Sequence, residues 1–134
     1  MAALTKTALR NVRFIDCKML GLNFENCNDF SLEMRFDRCA MDHSSFYKLN
    51  LKNTIFSHCK LREVDFAFCN LSGAVFDNCD LLGATFDDTM LEKTNFSTAI
   101  NFQIDPEHNW IKKAIFSTHN LRGLLSKYDI RIED

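Results

Sequence analysis

Large apolar residues recur at every fifth position through the middle of the chain: Phe36, Met41, Phe46, Leu51, Phe56, Leu61, Phe66, Leu71, Phe76, Leu81, Phe86, Leu91 and Phe96. Two residues before each stands a smaller one, among them Cys39, Ser44, Thr54, Cys59, Cys69, Ala74, Cys79, Ala84, Thr89 and Thr94. The positions between are mostly Asp, Asn, Lys, Arg, Ser and Glu. Helices repeat at about 3.6 residues and half-buried strands at about 2, so a sustained period of five belongs to neither. The repeat unit itself must set the geometry, with one large and one small side chain inside and three residues in solvent.

The same signal opens the chain in another phase, with Leu4, Leu9, Phe14, Met19 and Phe24 large and Val12, Cys17, Leu22 and Cys27 at the smaller position. From Phe24 to Phe36 is twelve residues where ten would keep phase. The two extra residues are expected within Asn28–Leu32, as a bulge or short loop at a corner of the repeat array.

Cys69-Asn70-Leu71-Ser72-Gly73, Cys79-Asp80-Leu81-Leu82-Gly83 and Thr94-Asn95-Phe96-Ser97-Thr98 read as a small residue, Asp or Asn, a central Leu or Phe, and two variable residues. This unit resembles the pentapeptide-repeat family, and the resemblance covers about residues 4–121. Met34, Leu49 and Val64 are larger than the usual small residue, and Ile55, Val75 and Met90 replace the Asp or Asn, departures that bear on local loop geometry. The resemblance implies an all-β fold, a right-handed quadrilateral β-helix in which four pentapeptides make one square coil. Residues twenty apart then stack, giving aromatic columns Phe36–Phe56–Phe76–Phe96–Phe116 and Phe46–Phe66–Phe86 on opposite sides. Met41–Leu61–Leu81 and Leu51–Leu71–Leu91 form the aliphatic columns between them. At about 4.8 Å per coil, roughly six coils make a rod about 28 Å long.

With the two-residue slip restored, Cys17, Cys39, Cys59 and Cys79 share one inward column, and Cys27 and Cys69 share another with Leu49 and Thr89. The sequence has no CxxC or HxxxH, and parallel stacked cysteines present poor disulfide geometry. Buried, reduced thiols are expected, which points to a reducing compartment and a cytoplasmic location.

The period breaks at Ala99–Trp110 and resumes in phase with Ala114 and Phe116. Asp105 followed by Pro106 predicts a single helical turn, as an N-cap with proline at the first helical position. Ser117 or Thr118 would cap a short helix carrying Leu121, Leu124 and Leu125, whose apolar face closes the stack. The expected organisation is one domain over residues 1–134, with repeats over about 4–100, a loop over about 101–113, and a final repeat and capping helix over about 114–128. The repeat starts at Leu4 with no capping element before it, so a homodimer through the uncapped N-terminal end is expected.

Composition narrows the class without naming an activity. The 134 residues suit one domain, and 46% hydrophobic with 25% charged residues is too apolar for disorder. No apolar run approaches membrane-spanning length, so no membrane partner is expected. Thirteen Phe stand against four Gly and one Pro, so the chain must turn without the usual turn residues. The net charge of -2 is unevenly spread. Residues 1–62 sum to +4, residues 63–107 to -8 and residues 108–134 to +2. The acidic block is Glu63, Asp65, Asp77, Asp80, Asp87, Asp88, Glu92, Asp105 and Glu107.

The pentapeptide-repeat resemblance implies one use for such a block, since some members present an acidic rod that imitates duplex DNA on type II topoisomerases. Against it, Asp before the large residue can hydrogen-bond its own turn, and the basic first half opposes a long negative stripe. Direct nucleic-acid binding is not expected at a pI near 6.1 without a basic stripe. His43, His58, His108 and His119 have no partner implied by spacing, and Ser44 and Ser45 lie in no nucleophile elbow, so no catalytic residue, cofactor or metal ligand is assigned. Tyr47 and Phe68 fall at outward positions of successive coils with Leu82 around the next corner, a candidate apolar patch. Together with Asp77, Asp87 and Asp88 they are the candidate partner-binding surface. The expected function is a rigid, non-enzymatic protein-binding or scaffold module with a protein partner. The alternative is a DNA-mimic modulator or protector of a type II topoisomerase such as gyrase.

Overall fold

The computed structural model of the chain describes residues 12–25 and 34–133. Four short parallel strands, β1 (Val12–Ile15), β2 (Met34–Asp37), β3 (Ile55–Ser57) and β4 (Val75–Asp77), stack in chain order into one sheet. Phe14 pairs with Phe36, 22 residues on, whereas Phe36 pairs with Phe56 and Phe56 with Phe76, 20 residues on. The register therefore carries two extra residues in the first coil, although Asn28–Leu32, where they were expected, lies outside the described residues. So do residues 1–11, on which the expected N-terminal homodimer rests.

The strands form side 1 of a square. Isolated parallel bridges such as Ala40↔Lys60, Ser45↔Asp65 and Asn50↔Asn70 repeat the stacking on sides 2, 3 and 4. Each side buries its central residue: Phe36, Phe56, Phe76 and Phe96 on side 1, Met41, Leu61 and Leu81 on side 2, Phe46 and Phe66 on side 3, and Leu51, Leu71 and Leu91 on side 4. The two phenylalanine ladders face each other. Rings along side 1 stack at 5.0–5.3 Å between centroids from Phe14 to Phe116, and those along side 3 at 4.5–5.5 Å from Phe24 to Phe86. Across the core the ladders meet edge to face, as Phe56 and Phe66 do at 6.0 Å and 79°. Both geometries suit the ring quadrupole, so aromatic columns on opposite sides lock one another.

Two local devices explain the polar part of the repeat. Where an Asp or Asn precedes the central residue, its side chain accepts a hydrogen bond from the N–H two residues on: Asn50 from Lys52 at 3.1 Å, Asp65 from Ala67 at 2.8 Å, Asp80 from Leu82 at 3.1 Å. These are Asx turns that fold the corner. The corner residue takes a left-handed conformation, at Gly73 and Gly83 with φ 72° but also at His43, Lys48, Glu63 and Phe68 with φ between 59° and 65°. The chain thus turns without a glycine at each corner. Inside, the small position donates to a central carbonyl of the coil before: Cys69 Sγ to Phe46 O at 2.9 Å, Thr89 Oγ1 to Phe66 O at 3.0 Å, Thr94 Oγ1 to Leu71 O at 2.8 Å. Cys and Thr there are more than small residues, because each adds a second donor to a carbonyl that already accepts a backbone N–H and so ties one coil to the next.

At the C-terminal end Asp105-Pro106 forms one hydrogen-bonded turn, as expected: Asp105 Oδ1 accepts the Glu107 N–H at 2.9 Å and Asp105 O accepts the His108 N–H at 3.2 Å. Two other features depart from expectation. The coil is back in register at Met90↔Trp110, so the excursion is shorter than residues 101–113. The closing element is two 3₁₀ helices, Leu121–Leu124 and Ser126–Tyr128, and Ser117 and Thr118 do not cap them. Leu121 and Leu125 are 44% and 37% exposed, and the core is covered instead by buried Phe102 and Ile104 with half-buried Leu124. Buried Gly123 lets this segment approach, its carbonyl accepting the Ile104 N–H at 2.9 Å. Asn120 Nδ2 donates to Phe96 O at 2.8 Å, taking the role that Cys or Thr plays in the coils above.

Candidate functional site

The candidate residues divide among three sides of the square. On side 3, the Tyr47 and Phe68 rings meet edge to face at 5.7 Å and 80°, and Lys48 Nζ lies 5.4 Å from the Tyr47 ring centre. Phe68 is 47% exposed and sits in the left-handed region with φ 59°. Its N–H donates to Asp87 O at 3.0 Å, so Asp87 and Asp88 lie directly below it on the next coil. Side 3 therefore unites an aromatic pair with two exposed carboxylates. Among the described left-handed non-glycine residues Phe68 is the one apolar side chain. A bulky residue there is a genuine outlier, and retained strain of this kind concentrates where a side chain has a task.

The other two candidates sit elsewhere. Asp77 belongs to side 1, where its carboxylate accepts hydrogen bonds from Asn78 Nδ2 at 2.9 Å, Thr98 Oγ1 at 3.2 Å and Ser57 Oγ at 3.3 Å. It is spent on ties between coils. Leu82 belongs to side 2 and opens onto a groove of about 650 Å³ shared with Ile100, Phe102, Ile130 and Ile132. The apolar patch expected to join Leu82 to Tyr47 and Phe68 is thus divided by the corner.

The charged groups arrange themselves in ways that spacing did not announce. Arg13 Nε and Arg35 Nε both donate to the Asp37 carboxylate, at 2.6 and 2.9 Å. Burial pushes the Asp37 pKa up, but the two guanidinium bonds outweigh it and hold the carboxyl below its ordinary range. Arg38 pairs with Asp16 at 2.8 Å and Arg62 with Asp42 at 2.9 Å. Lys127 reaches back from the closing segment to Asp105 at 3.0 Å and Glu107 at 3.1 Å. Arg62 and Asp42 are 20 residues apart and Arg38 and Asp16 are 22 apart across the slip, so these two pairs follow the register, but the side-chain reach that makes the others was not readable. The acidic block spreads over all four sides, with Asp65, Asp87 and Asp88 left on side 3 and Asp105 and Glu107 tied to Lys127.

The five described cysteines, Cys17, Cys39, Cys59, Cys69 and Cys79, are unpaired thiols, and all but Cys17 are buried. Cys27 lies outside the described residues. Burial pushes Cys39 up to about 11 and Cys69 up to about 12. Cys79 is pushed up by the hydrogen bond with the Cys59 sulfur and then by burial. Such thiols are protonated and poor nucleophiles at neutral pH. Ser57 Oγ lies 3.0 Å from His58 Nδ1 while donating to Asp77, and among the described residues no carboxylate pairs with the imidazole as a base would need. Ser44 is buried and donates to Met19 O at 2.8 Å. Among the described residues no group of three or more His, Cys, Asp or Glu could hold a metal ion, and no helix is long and apolar enough to cross a membrane.

Residues 32–101, just over half of the chain, match the family described as pentapeptide repeat region. The chain belongs to the pentapeptide-repeat family. Its coil is a pentapeptide-repeat β-helix. A trypsin-treated form of QnrB1, a plasmid-mediated fluoroquinolone resistance protein, superposes with a TM-score of 0.61 at 16% identity, over 99% of this chain and 64% of that one. A pentapeptide repeat protein from the thylakoid lumen of Arabidopsis thaliana superposes with a TM-score of 0.55 at 20% identity, over 76% of this chain and 66% of that one. The chain thus spans about two thirds of the length of these neighbours, and at these identities the likeness is one of fold. No curated protein sequence matches the chain.

Proposed function

We propose that this chain is a rigid, non-enzymatic protein-binding module whose contact face is side 3, with Tyr47 and Phe68 as the apolar anchor and Asp87 and Asp88 as its polar rim. The observation that carries this reading is Phe68, half exposed in a left-handed corner where Gly or Asn would be easier. Exposed aromatics held at fixed spacing by a stiff scaffold are the usual anchors of a protein interface. The unpaired thiols favour a reducing compartment, and a cytoplasmic protein is the reading they support.

Phe68→Gly separates binding from folding, because it removes the ring while relieving the corner. Protein captured from native lysate by the unmodified chain, and lost with Phe68→Gly while the denaturation midpoint holds, supports the assignment. Identical capture by both forms refutes it.

A second reading, a DNA-mimic modulator or protector of a type II topoisomerase, draws on the side 3 carboxylates Asp65, Asp87 and Asp88. The dispersal of the remaining acids over the other sides and the Lys127 bridges count against a continuous stripe. Gyrase supercoiling in the presence of a fluoroquinolone decides between the two. Restoration of supercoiling by micromolar protein, lost on Asp87→Lys with Asp88→Lys, would favour the topoisomerase; no effect leaves the general binding module.

A further inference from the structure

The apolar surface that begins at Tyr47 and Phe68 does not stop at side 3. Phe68 occupies the corner where side 3 turns into side 4, two residues before Asn70. Asn70 bridges to Met90 on the next coil, and Met90 to Trp110 on the one after. Met90 is therefore the diagonal neighbour of Phe68, one coil down and two residues along, and Trp110 lies directly under Met90. Phe68, Met90 and Trp110 are 47%, 39% and 56% exposed, so a track of large apolar side chains descends three successive coils. Asn50 and Asn70, above Met90 in the same column, accept the Lys52 and Ser72 N–H groups at 3.1 and 3.0 Å. Met90 and Trp110 have no side-chain oxygen with which to fold that turn, so two consecutive coils give up a local hydrogen bond and expose apolar surface instead.

Charge divides about the track. Asp87 and Asp88 are exposed on its side 3 flank. Lys93, Lys112 and Lys113 are exposed on the opposite flank, where side 4 turns into side 1, with half-buried Glu92 among them. Among the described residues no ion pair engages these two aspartates or three lysines. The backbone under the track is fully engaged: the Asn70, Met90 and Trp110 N–H groups donate to Leu49 O, Cys69 O and Thr89 O at 3.0, 2.9 and 3.1 Å. Their carbonyls accept the Leu51, Leu71 and Leu91 N–H groups, each at 2.8 Å. An extended peptide laid here finds no edge to pair with and buries its own polar backbone unsatisfied, whereas a helix bonds its backbone internally. Coils about 4.8 Å apart also suit helical turns of about 5.4 Å, so successive turns meet successive coils.

We infer that this track seats an amphipathic α-helix of a partner protein. Its apolar stripe lies on Phe68, Met90 and Trp110, with basic residues on the flank facing Asp87 and Asp88 and acidic residues on the flank facing the lysines. The inference rests on the protein-binding reading above and carries its contact face around the corner from side 3 onto side 4. A helix presents such a stripe between two polar flanks, and an exposed Trp is the commonest kind of anchor for it.

Trp110 is the single Trp of the chain, so its fluorescence reports the site directly. The probes are three Trp-free helical peptides of about 18 residues sharing one Leu stripe, with Lys on one flank and Glu on the other, Lys on both, or Glu on both. The mixed peptide should shift the Trp110 emission to the blue and bind about tenfold more tightly than either of the others. Lys112→Glu with Lys113→Glu should transfer the preference to the all-Lys peptide. Met90→Asn with Trp110→Asn restores the residue type of the column above, so it should hold the denaturation midpoint while weakening binding of a fluorescein-labelled mixed peptide about tenfold or more. No emission shift up to a few hundred micromolar peptide, equal affinity for the three peptides, or a shift produced only by phosphatidylglycerol vesicles overturns the inference. Lysate capture that is lost with Phe68→Gly but survives Met90→Asn with Trp110→Asn overturns it alone and leaves side 3 as the contact face. Capture that survives Phe68→Gly overturns the reading beneath it as well.

Discussion

Replacing Phe66 with Ala tests the core directly. Phe66 is fully buried in side 3, stacked on Phe46 at 5.5 Å and on Phe86 at 5.3 Å, and edge-on to Phe56 at 6.0 Å and Phe76 at 5.6 Å. Removal leaves a ring-sized void whose four walls are rings fixed by their own stacks, so the site cannot collapse. Large-to-small changes at a buried Phe run from about 3 to 5 kcal/mol, and a wall that cannot relax puts this one at the upper end, about 5 kcal/mol. Phe116→Ala, half-buried and backed by Phe96 and Phe102 alone among the rings, should lose less, about 2–3 kcal/mol. The surface control is Asp87→Ala, expected under about 0.5 kcal/mol. Asp88 is the poorer control, because its φ of 48° makes alanine strained there. Guanidinium denaturation followed by circular dichroism measures all three. Equal midpoints for Phe66→Ala and Asp87→Ala, or a larger loss at Phe116 than at Phe66, would refute the stacked-coil energetics.

Three further expectations have separate assays. Gly123→Ala would place a Cβ 2.6 Å from the Phe102 carbonyl oxygen, so the closing segment must lift and stability should fall by about 1–3 kcal/mol; an unchanged midpoint in thermal denaturation refutes the tight approach. Thiol reagent at neutral pH should label native protein far below six equivalents and denatured protein to six without reductant, given six cysteines in the sequence, the burial of four of them and the raised pKa values of Cys39 and Cys69; a deficit after denaturation would reveal disulfides. Because the Asp37 pKa is lowered in the folded state, its contribution is present above the ordinary carboxylate pKa of about 4 and is lost as pH falls through the folded value. Asp37→Asn should therefore destabilise the protein at pH 7 and flatten the acid limb of the stability profile, and parallel profiles for the two proteins would count against the two-arginine account.

The chain's own period determined the coil. A five-residue unit with a large and a small inward position places side chains that are twenty apart over one another, so the aromatic columns, the inward cysteines and the two-residue slip before Phe36 could all be read from spacing. The Asx role of Asp65 and Asp80 could be read too, since it involves only the next two residues. Where the period stops, local pattern ceased to decide. Leu121, Leu124 and Leu125 have helical spacing, but the space at the end of the core is fixed by Phe96 and Phe116, and Phe102 and Ile104 fill it first. The division of Leu82 from Tyr47 and Phe68 depended on which way a corner faces. The binding of Arg13 and Arg35 to one carboxylate depended on side-chain reach between coils. Phe68 could be read in the sequence as an outward aromatic beside Tyr47, but its left-handed backbone appears only in the folded coil. Periodicity transmits geometry along a solenoid because each coil repeats the last, whereas its ends and corners are settled by packing among residues distant in the chain.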